Sequence, residues 1–349
     1  FSLSSVYQYL LFYENSLFMV NIEAIDLACE VIRQSKKSVI ITHINPDGDA
    51  IGSSLALKLA LNKLNCDATI IVDSEVPHFL QFLYDAKNIE TYSSIIHDKI
   101  IRDCDTIFCL DFNATKRMRS ILNAFSNSNA RKVLIDHHLE PQDFCNICII
   151  DYEASSTGEI IWRIINKLGI EIDKHIAEAL YVAILTDTGS FRFERTTSEI
   201  HRIIAELIDC GANPTELYEK VYNQNSYNIV RLLGLALASL ELFYDNKLSV
   251  MTITDEMFQK TNTNDDDIEG FVEKTLMIKG TKVGILITEV ARRSEVRISI
   301  RSKGDINVRD FAFRFGGGGH FNAAGVRIYG SDFITTKKMI INEAQNLFH

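Results

Sequence analysis

From residue 21 onward the apolar positions follow two alternating rhythms. Ile22 to Ser35 has the 3–4 residue spacing of a helix, and Ser38 to Thr42 is a short β-branched run. Ala50 to Leu64 has the spacing of an amphipathic helix, and Ala68 to Val72 reads again as a strand. Thr106 to Leu110, Lys132 to Ile135 and Ile147 to Ile150 supply three further strand-like runs. Strands separated by segments of helix length pair in parallel, so the pattern predicts a doubly wound α/β sheet. In such sheets ligands sit beyond the carboxyl ends of the strands.

After Ser155 the spacing turns helical, over Gly158 to Leu168, Lys174 to Leu185 and Ser198 to Cys210, the last closed by Gly211. Asn213-Pro214 restarts a helix, and Asn228 to Phe243 reads as one long apolar helix. Strands return at Leu248 to Ile253, Lys282 to Val290 and Glu295 to Ile300, followed by a helix from Asn307 to Phe315, a four-glycine loop and a helix from Asp332 onward. The predicted organisation is an extension over 1–18, a larger α/β domain over 19–227, a linker helix over 228–246 and a smaller α/β domain over 247–349. The acidic run Asp265-Asp266-Asp267 is expected to be a solvated turn or helix cap. The long helices after Ser155 leave room for a homodimer interface, although helical spacing does not separate interface from core.

Composition narrows the class. Of 349 residues 46% are hydrophobic and only 4 are proline, which excludes disordered and collagen-like chains. The length points to two cores rather than one. A net charge of −10 argues against coating long duplex nucleic acid or an anionic membrane. Phe1 to Phe18 is apolar and aromatic but lacks a basic start and a cleavage site, and Glu14 and Asn15 interrupt it. No signal peptide or membrane span is expected, and Met19 is the expected start of the domain. Seven scattered cysteines do not form a secreted disulfide framework, so a reducing cytoplasm is expected. Cys145 and Cys148 have the spacing of a zinc or redox half-site. They lie in a strand-like run without a second pair, and are expected to be buried structural thiols.

Four clusters carry chemistry, each with Asp or His just after a predicted strand. They are His43-Ile44-Asn45-Pro46-Asp47-Gly48-Asp49, Asp111-Phe112-Asn113, Asp136-His137-His138, and Asp187-Thr188-Gly189. Alone, Asp47 or Asp49 reads equally well as a helix cap and Asp187 as a turn residue. Together they bring hard carboxylates and imidazoles to one edge of a sheet, a donor set suited to Mn²⁺ or Mg²⁺, with Fe or Co admitted. The set is too large for one ion with open positions and suits two ions roughly 3.5–4 Å apart sharing a carboxylate. Phosphoester or phosphoanhydride hydrolysis is the reaction class this favours. The glycine run lets backbone N–H groups approach an anion, and the segment after it is expected to open a helix whose dipole favours phosphate. A flexible hinge is the alternative. His320 and the run Arg301-Ser302-Lys303-Gly304 weigh toward substrate binding, while Arg192 reads as a substrate contact or as the partner of Glu194.

These motifs resemble the DHH phosphoesterase family, named for the triplet present here as Asp136-His137-His138. The resemblance runs from Met19 to the C-terminus. The second domain is similar to the family's DHH-associated domain through Phe315-Gly316-Gly317-Gly318-Gly319-His320-Phe321-Asn322-Ala323-Ala324-Gly325. In size the chain is similar to the NrnA-type nanoRNases, which also remove the 3′-phosphate of pAp. The resemblance implies an active site in the cleft between two α/β domains. There His43 and Asp47 would hold one metal, Asp49, His137 and Asp187 the other, and Asp111 would bridge them. It also implies attack by a two-metal-activated hydroxide, with His138 facing the scissile phosphate and Asp136 orienting a histidine. The second domain would grip the terminal nucleotide through Arg301, Ser302, Gly317, Gly318, Gly319 and His320. Phe321 departs from the family, where proline is more usual.

The expected function is hydrolysis of short single-stranded RNA to mononucleotides, and of pAp to AMP, with Mn²⁺ as the expected ion and Mg²⁺ or Co²⁺ as substitutes. The alternatives are a cyclic or linear di-AMP phosphodiesterase, an exopolyphosphatase or pyrophosphatase, and a nucleotide-binding regulatory module. Six intact ligand positions argue against the last. The acidity of the chain then fits a small substrate held inside a metal-lined site.

Overall fold

Residues 24–319 and 321–348 are described by a computed structural model. The expectations for the first eighteen residues, for Met19 and for His320 lie outside them. The chain divides between Gln224 and Asn225 into two compact units.

In the first unit, six strands β1 (Lys37–Thr42), β2 (Asp67–Val72), β3 (Glu90–Thr91), β4 (Thr106–Leu110), β5 (Arg131–Asp136) and β6 (Ile147–Ile150) pair in the order 3-2-1-4-5-6. Every pairing is parallel. Alternate side chains serve opposite faces. Ile40, Phe108 and Val133 enter one apolar cluster, and Val39, Ile41, Ile107, Cys109 and Leu134 enter another on the other face. Burial on both faces explains why the central strands read as unbroken apolar runs.

From β1 the chain winds outward to β2 and β3, then returns to the other side of β1 as β4. The winding therefore reverses between β1 and β4, the position where open sheets of this kind present ligand crevices. Register aligns the exits: Thr42 pairs with Leu110, and Leu110 with Ile135. His43, Asp111 and Asp136 consequently leave three adjacent strands at one level.

Helix α1 (Gly48–Lys63) follows β1, and its expected amphipathic character is corrected by its burial. Residues 48–57 are buried on all sides, because the helix lies beneath other helices as well as on the sheet. It crosses α5 (Lys174–Asp187) closely at Gly52, where a Cβ would come within 2.4 Å of the Ala179 carbonyl oxygen and 3.0 Å of the Ala183 Cβ. Gly52→Ala should therefore destabilise the fold by about 1–3 kcal/mol despite alanine's better helix propensity. Urea unfolding reads this directly. An unchanged or higher midpoint for the variant would show that the two helices part at no cost.

The fourth chemical cluster does not leave a strand: Asp187 is the last residue of helix α5. The chain then reverses through Gly189, Ser190 and Phe191, all with positive φ. A Cβ on Gly189 would collide with the Phe193 ring, so glycine is required there. Between these elements come α2 (Ser94–Asp103), α3 (Leu122–Asn127) and α4 (Thr157–Leu168), and the unit closes with α6 (Ser198–Asp209) and α7 (Pro214–Tyr222).

The second unit opens with α8 (Tyr227–Ala238), shorter than the helix expected to Phe243. Ser239 ends it, its hydroxyl donating to the Ala236 and Thr252 carbonyls, and β7 (Glu241–Phe243) follows. Leu232 and Ala236 pack with Met251, Ile253 and Phe258, which places this helix in the unit's own core. The sheet runs β11 (Gly318–Gly319), β12 (Ala323–Tyr329), β10 (Glu295–Ser302), β9 (Val283–Val290), β8 (Leu248–Ile253), β7. Only β8 and β9 pair in parallel, so this α/β unit has a mixed sheet. Helices α9 (Asp255–Thr261), α10 (Val308–Phe313) and α11 (Phe333–Ala344) complete it.

Three local expectations are overturned. The segment after the glycine run opens no helix but forms β12, whose Ala324 and Gly325 pair with Gly319 and Gly318. Asp265 is not solvated: it is buried and paired with Arg292, with Arg293 at 3.4 Å and with Arg297 at 2.7 Å. Guanidinium groups drawn from residues 27–32 positions away neutralise it, a relation that local sequence does not reveal. Cys148 is exposed on edge strand β6, while Cys145 is half-buried with its Sγ 3.8 Å from that of buried Cys109. No helix among the described residues is long and apolar enough to cross a membrane.

Candidate active site

The end of β1, the start of α1 and the exits of β4 and β5 converge on one small volume. Asp47 caps α1: its Oδ1 accepts from the Asp49 and Ala50 amides, at 3.1 Å each. Its Oδ2 lies 3.8 Å from His43 Nε2. The cap uses one oxygen of the carboxylate and leaves the other turned toward His43, so capping does not preclude a ligand role. His43 Nδ1 donates to the Ile44 carbonyl at 2.9 Å, which leaves Nε2 directed at Asp47 and, at 3.5 Å, at Asp111 Oδ2.

His137 repeats the arrangement. Its Nδ1 faces the Ala154 carbonyl at 3.3 Å, and its Nε2 lies 3.4 Å from Asp187 Oδ2, 3.6 Å from Asp111 Oδ1 and 3.9 Å from Asp49 Oδ2. Asp49 is held from behind. The Thr157 and Gly158 amides at the start of α4 donate to its two oxygens at 2.6 and 2.8 Å. A helix N-terminus thereby faces a carboxylate, and its dipole favours the charge. Neither Thr157 nor Gly158 carried a recognisable signal in the sequence, since backbone amides have none.

Asp111 occupies the centre. It is buried with φ +64°, a left-handed conformation that aspartate tolerates better than most residues. Thr157 Oγ1 donates to its Oδ1 at 3.1 Å. His43, Asp47 and Asp111 gather their donor atoms within 4.8 Å of one another, and so do Asp49, His137 and Asp187. Asp111 Oδ1 also approaches His138 Nδ1 at 3.7 Å. Asp136 does not face the cluster as a ligand. Its Oδ1 accepts from His138 Nδ1–H at 2.7 Å, and its Oδ2 is buried without a hydrogen-bond partner.

The charges explain what such a site can hold. Burial and the proximity of Asp111 and Asp187 push the Asp49 carboxyl well above the usual range. Removal from water, with Asp111 and Asp47 adding to it, brings Asp187 up to about 7. Burial opposes a charge on His137, but Asp111, Asp187 and Asp49 outweigh it and raise that imidazole to about 10. Asp111 is the exception. Burial works against its charge, yet His137 and His43 hold it well below the ordinary value. Without ions, protons on these groups balance carboxylates that otherwise repel. Hard oxygens, imidazole Nε2 atoms oriented by Nδ1 hydrogen bonds and excess negative charge fit divalent cations, in two triads on either side of Asp111.

The remaining candidates stand elsewhere. Arg192 Nε donates to the Gly189 carbonyl at 2.6 Å, which secures its own loop. Arg195, which sequence reasoning passed over, brings Nη1 to 3.4 Å from both His137 Nδ1 and the Ala154 carbonyl. In the second unit, Arg301 Nε pairs with Glu273 at 3.0 Å. Ser302 is buried and committed to its loop, donating to the Ile306 carbonyl and accepting from Asn322. Gly317 and Gly319 are sterically required. A Cβ would lie 2.2 Å from the Gly325 carbonyl oxygen at the first and 2.3 Å from that of Ala323 at the second. Gly318 is open to a side chain, with only the Phe313 ring in range.

Residues 37–184 match the N-terminal domain of the DHH family, and residues 245–346 match the DHHA1 domain. The chain is 31% identical over 313 residues to the bifunctional oligoribonuclease and PAP phosphatase NrnA of Thermus thermophilus, covering 89% of this chain and 90% of that one. With the Bacillus subtilis protein of the same name it shares 27% over 84% of this chain and 90% of that one. The crystal structure of an exopolyphosphatase-related protein from Bacteroides fragilis superposes with a TM-score of 0.88 at 36% identity, covering 93% and 97% of the two chains. A structure of exonuclease RecJ bound to manganese shares the fold, at 13% identity and a TM-score of 0.50 over 92% and 94%.

Proposed function

The chain belongs to the DHH family of phosphoesterases, and on that premise we propose that it is a two-metal hydrolase of short single-stranded RNA and of pAp. The observation that carries the reading is Asp111, whose two oxygens face the two donor triads. His43 and Asp47 would hold one ion, Asp49, His137 and Asp187 the other, with Asp111 shared. The ions would polarise a phosphoryl oxygen and lower the pKa of a bound water, as paired metals do in phosphoesterases; Mn²⁺ is the preferred ion, with Mg²⁺ or Co²⁺ as substitutes.

The protein's own groups do the rest. His138, its Nδ1–H fixed on Asp136, presents its other ring nitrogen as a donor that can stabilise charge on the phosphate or return a proton to the leaving oxygen. Asp136 is a positioning residue whose carboxylate fixes the orientation of the ring through Nδ1–H. We assign to Arg301, Gly317, Gly318, Gly319 and His320 the grip on the terminal nucleotide. The pairing of Arg301 with Glu273 means that its guanidinium would exchange or share a partner on binding. Ser302, already committed at both lone pair and proton, acts by fixing the Arg301 loop.

Asp136→Asn should lower kcat about 10–100-fold with metal content unchanged, because the amide keeps the orientation but not the charge behind His138. An unchanged KM and an unchanged urea midpoint separate this from a structural defect. An identical kcat would remove Asp136 from the mechanism.

The name of the Bacteroides relative favours one second reading, cleavage of polyphosphate. A single panel decides: RNA two to five nucleotides long, pAp, pApA, cyclic di-AMP, polyphosphate and pyrophosphate, each with Mn²⁺. The proposal expects dinucleotide RNA and pAp to be consumed fastest, with mononucleotides and AMP as products. Faster turnover of polyphosphate, or none of any phosphate ester, would overturn it.

A further inference from the structure

The chain leaving β4 continues from Asp111 into a tight 3₁₀ segment, Thr115–Ile121. This segment is latched to the metal-ligand loop, since the Ile44 amide donates to the Arg117 carbonyl at 2.9 Å. Between the two lies a pocket of about 490 Å³, lined by His43, Ile44, Asn45, Lys116, Arg117 and Arg119. Its size falls within the range of small-molecule sites.

Three features mark it as built for an anion. Lys116, Arg117 and Arg119 bring three positive charges to one wall, and among the described residues no carboxylate forms an ion pair with any of them. The Nε of Arg117 is buried, with no hydrogen-bond partner among the described residues. A buried donor of that kind costs free energy unless a ligand supplies the acceptor. Arg119 lines the pocket and is held at φ +49°, ψ −116°, a strained conformation for a residue with a side chain. In a chain of net charge −10 three cations stand together here, Arg117 close enough to act on His43 and Asp47, and the wall begins at His43, itself within 3.5 Å of Asp111.

We infer that Lys116, Arg117 and Arg119 form a second phosphate subsite beside the His43 end of the centre, which receives a non-scissile phosphate of the substrate. The inference rests on the reading of the site as a phosphoesterase, and it narrows the substrate to molecules carrying at least two phosphates. A guanidinium fork suits phosphate oxygens bidentately, and Lys116 adds a compact charge. Such a subsite would let the enzyme distinguish pAp or an oligonucleotide from a phosphomonoester.

The test uses the double variant Lys116→Ala, Arg119→Gly of the full chain. Both side chains are exposed, and glycine relaxes the left-handed backbone at 119, so the fold should survive. Calorimetric titration of the metal-free proteins with pAp should give a Kd at least tenfold weaker for the variant. In turnover with Mn²⁺, the ratio of kcat/KM for pAp to that for adenosine 3′-monophosphate should fall at least tenfold. These two substrates differ only in the non-scissile phosphate. Equal affinity in the titration, no binding by the wild type, or an unchanged ratio would overturn the subsite. Loss of inhibition by inorganic phosphate without a change in the ratio would show that the pocket holds released phosphate, and would also overturn it. Titration needs no turnover, so it remains decisive if the proposed activity itself fails.

Discussion

Asp111→Asn is expected to lower kcat by at least about a thousandfold, equivalent to roughly 4 kcal/mol of transition-state stabilisation. The two oxygens of Asp111 reach both histidine clusters. Asp111 Oδ2 lies 3.5 Å from His43 Nε2, and Oδ1 lies 3.6 Å from His137 Nε2 and 3.7 Å from His138 Nδ1. Asparagine keeps the volume and accepts the left-handed backbone at φ +64°, so the fold should remain. It removes the negative charge and turns one shared oxygen into an N–H donor, which cannot ligate. Bound Mn²⁺ per chain should therefore fall along with rate. Metal analysis and steady-state kinetics on the same sample check both. A variant within tenfold of wild type and with full metal content would exclude a shared carboxylate.

The second large effect concerns metal and pH together. Chelation should abolish turnover, and the metal-free protein should lose stability as pH rises from about 4 to about 10. The sign follows from two groups. The folded-state value of Asp187 is raised to about 7, so the folded chain binds a proton that the unfolded chain has released, and stability declines over roughly pH 4–7. The value of His137 is raised to about 10. Its stabilising contribution is complete below about 6.5, the unfolded value, and is lost as pH rises through 10. Divalent ions need the same groups deprotonated. The gain in Tm on adding Mn²⁺ should consequently be larger at pH 8.5 than at pH 6, by several degrees. Thermal scans at both values, with and without chelator, measure it. A metal-independent rise in Tm with pH, or an Mn²⁺ gain indifferent to pH, would contradict these charge assignments.

The first unit was legible because its chemistry is written at strand exits. Apolar runs ending in His43, Asp111 and Asp136 needed only the rule that parallel sheets present ligands beyond their carboxyl ends. Asp187 obeyed no such rule. It was grouped with the others as the exit of a strand, whereas it leaves a helix. The glycines and small residues up to Gly325 were read as the approach to a helix, although Val326-Arg327-Ile328-Tyr329 alternates as a strand does, and the segment forms β12. Asp265 looked solvated because its three arginines lie far along the chain. The amides of Thr157 and Gly158 that hold Asp49 belong to the folded backbone and have no counterpart in residue type.

The bond between Asp49 and the start of α4 joins residues 108 positions apart, and the ligand set as a whole runs from His43 to Asp187. A nascent chain that has completed β1 to β5 therefore possesses most of the donors but not the amides that fix Asp49, nor Asp187. On the proposed ligand set, ion capture would await the docking of α4 and α5 on the finished sheet. Metal occupancy would then mark completed folding of the first unit, and a partly synthesised chain would be hydrolytically silent.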